Sequence, residues 1–545
     1  MILPMFFFLK RLIIPFCCFT LFICCGDSTG NKDIKDAKIF RYNQSSGITS
    51  LDPAFAKDQA NIWAINQLFN GLVQMNDRLE VIPAIAKSWE ISPDGLTYTF
   101  HLRNDVYFHD HPVFEGGKGT KVTAADVAYS FGRIIDKDVA SAGAWLFNDR
   151  VSVSEPFTAI NDSTFQLKLK QPFRPMLGIL TMQYCSVVPK KIVEHFGKTF
   201  RSNPVGTGPF KFSVWKENET LVLTANPNYF ETNESGKRMP FIDGVKITFM
   251  ENKRNAYLSF IEGKIDLLSG IDATYKDDLL TSDGELRPEL NTKIQLLRSP
   301  YLNTEYLGIM LGKTGLSELQ NKKVRQAINY AIHREQIVQY LRNNIGNPAF
   351  SGFVPKGLPS FDESAVRGFT YQPEKARQLL KEAGFENGKG LPVIPFETTD
   401  AYQDISTAIQ NQLKEVGIQV AVSLNPASFL REKAAKGEAV MFRGSWIADY
   451  PDAESYFTFF YGKNPAPPNY TRFNHAEFNQ LYLQSLTVND DNSRYDIYRN
   501  LDKIILEEAP VVPLYYDEVL RFVHPRVKNL GINPLNLLHL KQVTL

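Results

Sequence analysis

The stretch that decides the fold is LPVIPFETTDAYQDISTAIQNQLKEVGIQVAVSLNPASFLREKAAKGEAVMFRGSWIAD, from Leu391 to Asp449. Short apolar runs alternate in it with longer runs that have a helical spacing of apolar residues. The pattern predicts, in order, a strand at 391–397, a helix at 401–417, a strand at 418–424, a helix at 427–437 and a strand at 439–446. Because strands joined through helices form right-handed crossovers, we expect a parallel sheet and an α/β fold.

Charged residues follow the last of these strands. In open parallel sheets ligands bind beyond the carboxyl ends of the strands, so Asp449 is predicted to lie at the rim of a cleft. Arg443 precedes it by six residues, and such a pair suits a ligand with one cationic and one anionic end. Asp452 and Glu454 are predicted to be solvated residues at the start of a helix. A pair of glycosidase carboxylates is the alternative for this group.

Alternation of strands and helices continues elsewhere in the chain. Thr123 and Asp126 form a capping box that begins a helix, and 244–270 reads as strand, helix, strand with Gly263 closing the helix. Pro373 in the first turn and Gly384 past the end bound another helix. The length of 545 residues allows about three to four domains.

The N-terminal residues resemble a bacterial export signal. A basic pair, Lys10 and Arg11, precedes an apolar run that is too short to span a membrane, so 1–24 is predicted to be a signal peptide. Its end, LFICCGDS, resembles a lipobox, with Cys25 as the lipidated first residue of the mature chain. Residues 25–36 contain few apolar groups and are predicted to be a flexible tether. The remaining thiol, Cys185, is predicted to be a buried small hydrophobe.

The overall charge argues against two kinds of binding protein. The net charge is +1, and removing Lys10 and Arg11 leaves −1, so we expect neither a nucleic-acid binder nor a polybasic membrane binder. His109 and His111 are interpreted as solvated loop histidines rather than metal ligands. The chain contains no HExxH, GxSxG or CxxC motif. We therefore expect no catalytic residue, no metal site and no cofactor.

Several motifs in a fixed order resemble those of the peptide and nickel solute-binding proteins of bacterial ABC importers. The resemblance extends from about Lys38 to Gly531. The motifs are SLDPAF from Ser50, AIAKSWEISPDGLTYTFHLRNDVYFHD from Ala84, VTAADVAYSFGRI from Val122, NPVGTGPFKFSVWKENETLVLTANPNYF from Asn203, VRQAINYAIHREQI from Val324, YQPEKARQLLKEAGF from Tyr371 and SWIADYPDAESYFTFFY from Ser445. One departure is the longer loop HPVFEGGKGTK at 111–121.

The resemblance implies a two-lobed periplasmic-binding-protein fold of the large class, with an extra inserted domain and a ligand cleft between the lobes. The implied main domain of lobe I comprises 37–75, 204–297 and 516–545, the inserted domain is 76–203, and lobe II is 298–515. The chain crosses between the lobes near SPYLNTEY and near PVVPLYYDE, which would act as a hinge.

The resemblance also implies the contacts of the ligand. In similar oligopeptide binders an aspartate in this context holds the α-ammonium of the peptide, and it maps onto Asp449. Arg443 is a possible partner of the terminal carboxylate, and the main chain of Ser445 and Ile447 would pair with the peptide as an added strand. The opposite lobe would contribute the following residues: Lys57, Asp58 and Gln59. Trp446 and Tyr450 either line side-chain pockets or belong to the core.

The expected function is therefore that of a non-catalytic, monomeric lipoprotein in the periplasm or at the cell exterior. It would be anchored to a bacterial membrane through Cys25, bind short peptides, and deliver them to the permease of an ABC importer. Alternatives are the same fold with an oligosaccharide, a nickel chelate, haem or another conjugate as its ligand, and a secreted hydrolase that uses the carboxylates between 449 and 454.

Overall fold

The computed structural model describes residues 37–272 and 274–545, and this part of the chain contains seventeen strands and fourteen α-helices. The strands are β1 (Ile39–Asn43), β2 (Val73–Met75), β3 (Val81–Pro83), β4 (Ala86–Ile91), β5 (Thr97–Leu102), β6 (Phe157–Asn161), β7 (Thr164–Lys168), β8 (Phe210–Lys216), β9 (Thr220–Ala225), β10 (Gly244–Thr248), β11 (Leu267–Ser269), β12 (Gln295–Ile309), β13 (Asn347–Pro348), β14 (Ile394–Thr398), β15 (Val420–Leu424), β16 (Met441–Ile447) and β17 (Val511–Val523). The helices are α1 (Gln59–Leu68), α2 (Ala124–Ile135), α3 (Met176–Ile179), α4 (Lys190–Phe196), α5 (Lys253–Ile261), α6 (Lys276–Leu279), α7 (Lys322–Ala331), α8 (Arg334–Gln336), α9 (Pro373–Glu382), α10 (Gln403–Glu415), α11 (Ala427–Lys436), α12 (Glu454–Phe457), α13 (Ala476–Ser485) and α14 (Asp491–Glu508).

An eleven-stranded mixed sheet forms the centre of the molecule. Its order is β15-β14-β16-β12-β17-β11-β1-β10-β9-β8, with β13 paired to β17. The two long strands β12 and β17 lie in the middle of this order and pair antiparallel with each other. Their register shifts between Pro300 and Thr304, where the ladder is interrupted. The sheet therefore has two flanks that are joined by two long strands.

The strand and helix pattern predicted for 391–449 is confirmed. β14 pairs in parallel with β15 and with β16, and α10 and α11 form the connections between them. Apolar faces of α7, α9 and α10 pack on this flank, where Ile394, Phe396 and Ile409 are fully buried. Helices whose apolar residues recur every three or four positions thus cover the parallel part of the sheet.

A second, antiparallel sheet lies between α1 and β8 in the chain. Its order is β4-β5-β7-β6, and β2 and β3 form a separate hairpin beside it. α2 begins with the predicted capping box of Thr123 and Asp126. In it the main-chain N–H of Thr123 donates to the carboxylate of Asp126. Phe131, on the buried face of this helix, contacts Phe147, Phe157 and Phe165. This packing fixes α2 against the second sheet.

Lys38–Leu545 form one compact unit. The predicted α/β class is confirmed, whereas the domain boundaries at 76, 204, 298 and 516 stay predictions. The signal peptide at 1–24, the anchor Cys25 and the tether at 25–36 lie outside the described residues. Among the helices described, none is both long and apolar enough to cross a bilayer.

Candidate functional site

One edge of β16 has no partner strand over most of its length. β12 pairs with all of β16, from Ile309 opposite Met441 to Asn303 opposite Ile447. On the other edge β14 pairs only with Met441 and Phe442. In the described part of the chain, no strand continues this ladder toward Ile447. An edge of this kind is a template for the addition of another extended chain.

The main-chain groups of Ser445 and Ile447 point to this open edge. The N–H of Ala448 donates to the carbonyl of Leu302, 2.9 Å away, on the side of β12. Because the main-chain N–H and C=O groups of successive strand residues alternate in direction, the odd-numbered residues of β16 face away from β12. Ser445 and Ile447 are odd-numbered, so the geometry suits the predicted strand addition.

Asp449 follows the open edge and carries a carboxylate without a partner. Its N–H donates to Ser455 Oγ at 3.2 Å, but its side chain makes no hydrogen bond or ion pair with any described residue. The side chain is exposed to solvent, although enough protein atoms lie around it to desolvate the carboxylate in part. This partial burial, and then the charge of Glu454, raises the pKa of Asp449 to about 6. A ligand cation would stabilise its charged form.

A second carboxylate, Asp58, shares one electrostatic neighbour with Asp449, the hydroxyl of Tyr184. Burial raises the pKa of Tyr184, and the charges of both Asp449 and Asp58 raise it further. Asp58 caps α1 by accepting a hydrogen bond from the N–H of Asn61 at 3.0 Å. Lys57 and Gln59 flank Asp58 and are both exposed. Asp58, within the predicted segment 57–59, and Asp449 therefore both act on the same tyrosine.

Arg443 already has an internal partner. Its guanidinium forms an ion pair with Glu305 and lies over the ring of Tyr402, 3.5 Å from the ring centroid. Glu305 is almost fully buried and also accepts a hydrogen bond from Asn303 at 3.0 Å. The Nε of Arg443 is buried and has no hydrogen-bond partner in the described structure. A ligand carboxylate would have to compete with Glu305 or use the N–H donors of Arg443 that Glu305 does not occupy.

The two aromatic candidates differ. Trp446 donates from Nε1 to the carbonyl of Ser455 at 2.6 Å, and one part of it lines a cavity. Tyr450 is 2% exposed and its hydroxyl donates to the carboxylate of Glu454. The structure therefore places Tyr450 in the core, which was the alternative reading of the sequence, while Trp446 borders open space.

The prediction that Asp452 and Glu454 are solvated is wrong. Glu454 is fully buried and accepts hydrogen bonds from the hydroxyls of Tyr450 and Tyr482. Asp452 pairs with Arg494 at 2.5 Å and accepts a hydrogen bond from Tyr498 at 2.7 Å. Both carboxylates are held by α13 and α14, which local sequence spacing does not reveal. Their role is to hold the segment that carries Asp449.

The prediction that His109 is a solvated loop histidine is also wrong. His109 is 4% exposed, and its Nε2 lies 2.9 Å from the carbonyl of Gly208. Burial lowers its pKa to about 4. No group of three or more metal-binding side chains occurs in the part of the chain that the structure describes. Cys185 is fully buried, as predicted.

A cavity of about 170 Å³ lies between β16 and α11, beside the open edge. The lining residues with polar side-chain groups are Tyr306, Thr399, Arg431, Arg443, Ser445, Trp446 and Tyr470. Sequence reasoning missed Arg431 here. The available signal was an arginine on the helix face that also contains Ala427, Leu430 and Ala434.

A two-flanked α/β sheet with a free strand edge and an unpartnered, exposed carboxylate suits a protein that binds a solute between two lobes. The model of the bacterial extracellular solute-binding proteins, family 5 Middle, matches residues 80–468, and the chain belongs to this family. Members are extracytoplasmic and deliver their solute to an ABC importer.

Comparisons with known proteins agree with this assignment. The chain is 28% identical over 494 residues to Heme-binding protein A of Haemophilus influenzae, covering 86% of this chain and 85% of that protein. It is 26% identical over 497 residues to the Dipeptide-binding protein of Escherichia coli K12, covering 88% and 89%. Both relatives are binding proteins by name.

Solved structures give the same fold. The periplasmic binding protein DppA from Helicobacter pylori, in complex with the peptide STSA, matches with a TM-score of 0.77 and 26% identity, covering 93% of this chain and 98% of that one. HbpA2 from Haemophilus parasuis matches with a TM-score of 0.79 at 23% identity, covering 93% and 99%. The predicted two-lobed periplasmic-binding-protein fold is therefore confirmed.

Proposed function

We propose that this protein captures short peptides outside the cytoplasm and delivers them to the permease of an ABC importer. The peptide lies along the open edge of β16, where Ser445 and Ile447 supply main-chain hydrogen bonds. Its α-ammonium pairs with Asp449. The unpartnered carboxylate of Asp449 at the end of an unpaired strand edge is the observation that carries this proposal.

The free strand edge of β16 and the carboxylate of Asp449 both favour a peptide as the ligand. A free strand edge offers alternating N–H and C=O groups, which match the main chain of a peptide better than a sugar or a porphyrin. The carboxylate of Asp449 favours a cation as its partner, because its charge is partly desolvated and lies near that of Glu454. The peptide of one structural relative, STSA, and the dipeptide named for another support this ligand class. The relative named for haem makes a non-peptide ligand the alternative to test.

Lobe closure completes the site. We propose that lobe I, at 37–75, 204–297 and 516–545 with the inserted domain at 76–203, contributes Lys57, Asp58 and Gln59 to the ligand. Lobe II, at 298–515, contributes Asp449 and β16. The long strands β12 and β17 form the hinge between them. A ligand that contacts both lobes shifts the protein toward the closed state by its differential affinity.

The remaining parts of the proposal concern location. Lipidation of Cys25 anchors the mature monomer to a membrane surface, and 25–36 act as the tether. The protein has no catalytic role, and no cofactor or metal is part of the site. Arg443 is a partner for the ligand carboxylate if it exchanges its internal partner, Glu305.

The experiment is native mass spectrometry of the form that begins at Gly26, purified without refolding. We expect co-purified peptides on the wild-type protein and none on Asp449→Asn, which keeps the size of the side chain but removes its charge. Asp162→Asn, an exposed carboxylate in the turn between β6 and β7, is the matched control and should keep its peptides.

Two results would contradict the proposal. One is a sugar, porphyrin or metal adduct that is bound equally by the wild-type protein and by Asp449→Asn. The other is a set of peptides that both variants retain to the same extent, which would place the ammonium elsewhere.

A further inference from the structure

One face of α11 presents small side chains and a single cation to β16. Ala427, Leu430, Arg431 and Ala434 occupy positions i, i+3, i+4 and i+7 of the helix, and all four line the cavity. Since the alanines are short, this wall leaves space beside Arg431. The volume of about 170 Å³ is several times the roughly 30 Å³ that one water occupies. The cavity can therefore hold a side chain.

Arg431 is the cation available to a ligand in this cavity. Arg443 also lines it, but its guanidinium pairs with Glu305 and stacks on Tyr402. Arg431 is exposed and forms no hydrogen bond or ion pair with the residues that the structure describes. Its charge acts on Tyr470, where burial raises the pKa of the hydroxyl and Arg431 lowers it by a smaller amount.

Of the two arginines in the lining, Arg443 is neutralised by Glu305, and the lining contains no carboxylate that could pair with Arg431. Glu397, on the adjacent strand β14, is already bound by Lys433 at 2.5 Å and by Asn425 at 2.5 Å. Hydroxyl groups of Thr399 and Tyr470 supply further hydrogen-bond donors to the lining. The cavity is thus a positively charged space with donors and apolar walls, which suits an anion on a short aliphatic stem.

The open edge of β16 runs past the cavity. Gly444, Ser445 and Trp446 belong to β16 and also line the cavity. Asp449 lies four residues beyond Ser445, which corresponds to about 13 Å of extended chain. A peptide with its α-ammonium at Asp449 would therefore pass the cavity with its second to fourth residues.

From this arrangement we infer that the cavity selects peptides with an acidic side chain at one of these inner positions, and that Arg431 is the specificity-determining residue. This inference rests on the proposed function, since it names a preference of the same site. The ligand class is a short peptide with an inner glutamate or aspartate.

Calorimetric titration of tetra-alanine and its substituted forms tests the inference. Glutamate or glutamine is placed at position two, three or four, and each peptide is titrated into the wild-type protein, Arg431→Gln and Arg367→Gln. Arg367 is an exposed arginine that does not line the cavity, so it serves as the matched control.

At one of the three peptide positions, glutamate should give at least about tenfold higher affinity than glutamine, both for the wild-type protein and for Arg367→Gln. Arg431→Gln should bind both equally, with the affinity for the glutamine peptide unchanged. Equal affinities in the wild-type protein, or a preference that persists in Arg431→Gln, would overturn the inference.

A C-terminally amidated set separates the two possible sources of the carboxylate. If amidation weakens binding to the wild-type protein but not to Arg431→Gln, Arg431 holds the peptide terminus and the side-chain pocket is overturned. If tetra-alanine binds in an Asp449-dependent way without any glutamate preference, only this inference fails. If no peptide binds at all, the proposed function fails and this inference fails with it.

Discussion

Asp449 and Glu454 are separated by five positions in the chain but have opposite surroundings. Glu454 is fully buried, and two tyrosine hydroxyls, from Tyr450 and Tyr482, donate to it. Asp449 is exposed, and its carboxylate has no partner among the described residues. Burial raises the pKa of both groups.

The difference separates scaffold from site. A buried carboxylate whose oxygens are satisfied by the protein has no capacity left for a ligand, and its loss would leave its donors unsatisfied. A carboxylate that is partly desolvated and unsatisfied gains most from a partner that arrives from outside. Asp452, which is bound by Arg494 and Tyr498, belongs with Glu454 in this comparison.

The largest expected effect is on stability at Glu454. Glu454→Ala should lower the free energy of unfolding by about 4 kcal/mol, because it leaves a cavity and two buried hydroxyls without an acceptor. Denaturant unfolding of the ligand-free protein measures this effect. Asp449→Ala is the control and should not lower the free energy of unfolding, because this exposed carboxylate accepts no hydrogen bond from the described residues. Equal unfolding midpoints for the two variants would contradict the view that Glu454 stabilises the fold whereas Asp449 does not.

The next effect is on ligand binding at Asp449. Asp449→Asn should weaken the binding of tetra-alanine by about a hundredfold, equivalent to about 3 kcal/mol, because the charge that pairs with the α-ammonium is lost. Titration calorimetry gives the ratio, with Asp162→Asn as the matched control. A loss of less than about threefold would show that Asp449 is not the ammonium partner.

A smaller stability effect is expected at Arg494. Arg494→Met should lower the free energy of unfolding by about 2 kcal/mol, less than a fully buried pair would lose, because Tyr498 still donates to Asp452. Its affinity for tetra-alanine should change little. If affinity fell as far as in Asp449→Asn while stability was preserved, Asp452 would belong to the ligand site instead.

The smallest effect is that of pH. Since the pKa of Asp449 in the ligand-free protein is about 6, affinity should fall as the pH drops below 6, approaching about tenfold per unit. The same raised pKa means that the folded state binds more protons at Asp449 than the unfolded state. Its contribution to stability is therefore present at low pH and is lost as the pH rises through about 6.

Asp449→Asn is the control for both pH effects. Its affinity, although weaker, should not change between pH 5 and pH 7 through this group. The free energy of unfolding of ligand-free Asp449→Asn should lack the pH-dependent contribution that Asp449 makes in the wild-type protein. A wild-type affinity that is constant over this range would contradict the assigned role.

Much of the fold could be predicted because it depends on local patterns. The repeat of apolar residues in 391–449 is a property of the chain itself, and β14, α10, β15, α11 and β16 follow it within a few residues. The capping box at Thr123 is similarly local. The position of Asp449 after the last parallel strand follows from the same alternation.

The environments of individual side chains could not be predicted, because their partners are distant in sequence. Glu305, the partner of Arg443, is 138 positions away, and Arg494, the partner of Asp452, is 42 positions away. His109 is buried by contact with Gly208 on another segment. A local pattern identifies which residues carry charge, but only the folded structure shows which charges are already paired.

The central claim is that Asp449 holds the α-ammonium of a peptide, and acetylation of that ammonium tests it most directly. Tetra-alanine and N-acetyl-tetra-alanine are titrated into the wild-type protein and into Asp449→Asn, which completes a double-mutant cycle. The account predicts that acetylation weakens binding to the wild-type protein by about a hundredfold and has little further effect on Asp449→Asn. Equal losses on acetylation in both proteins would contradict it, because the ammonium would then bind elsewhere.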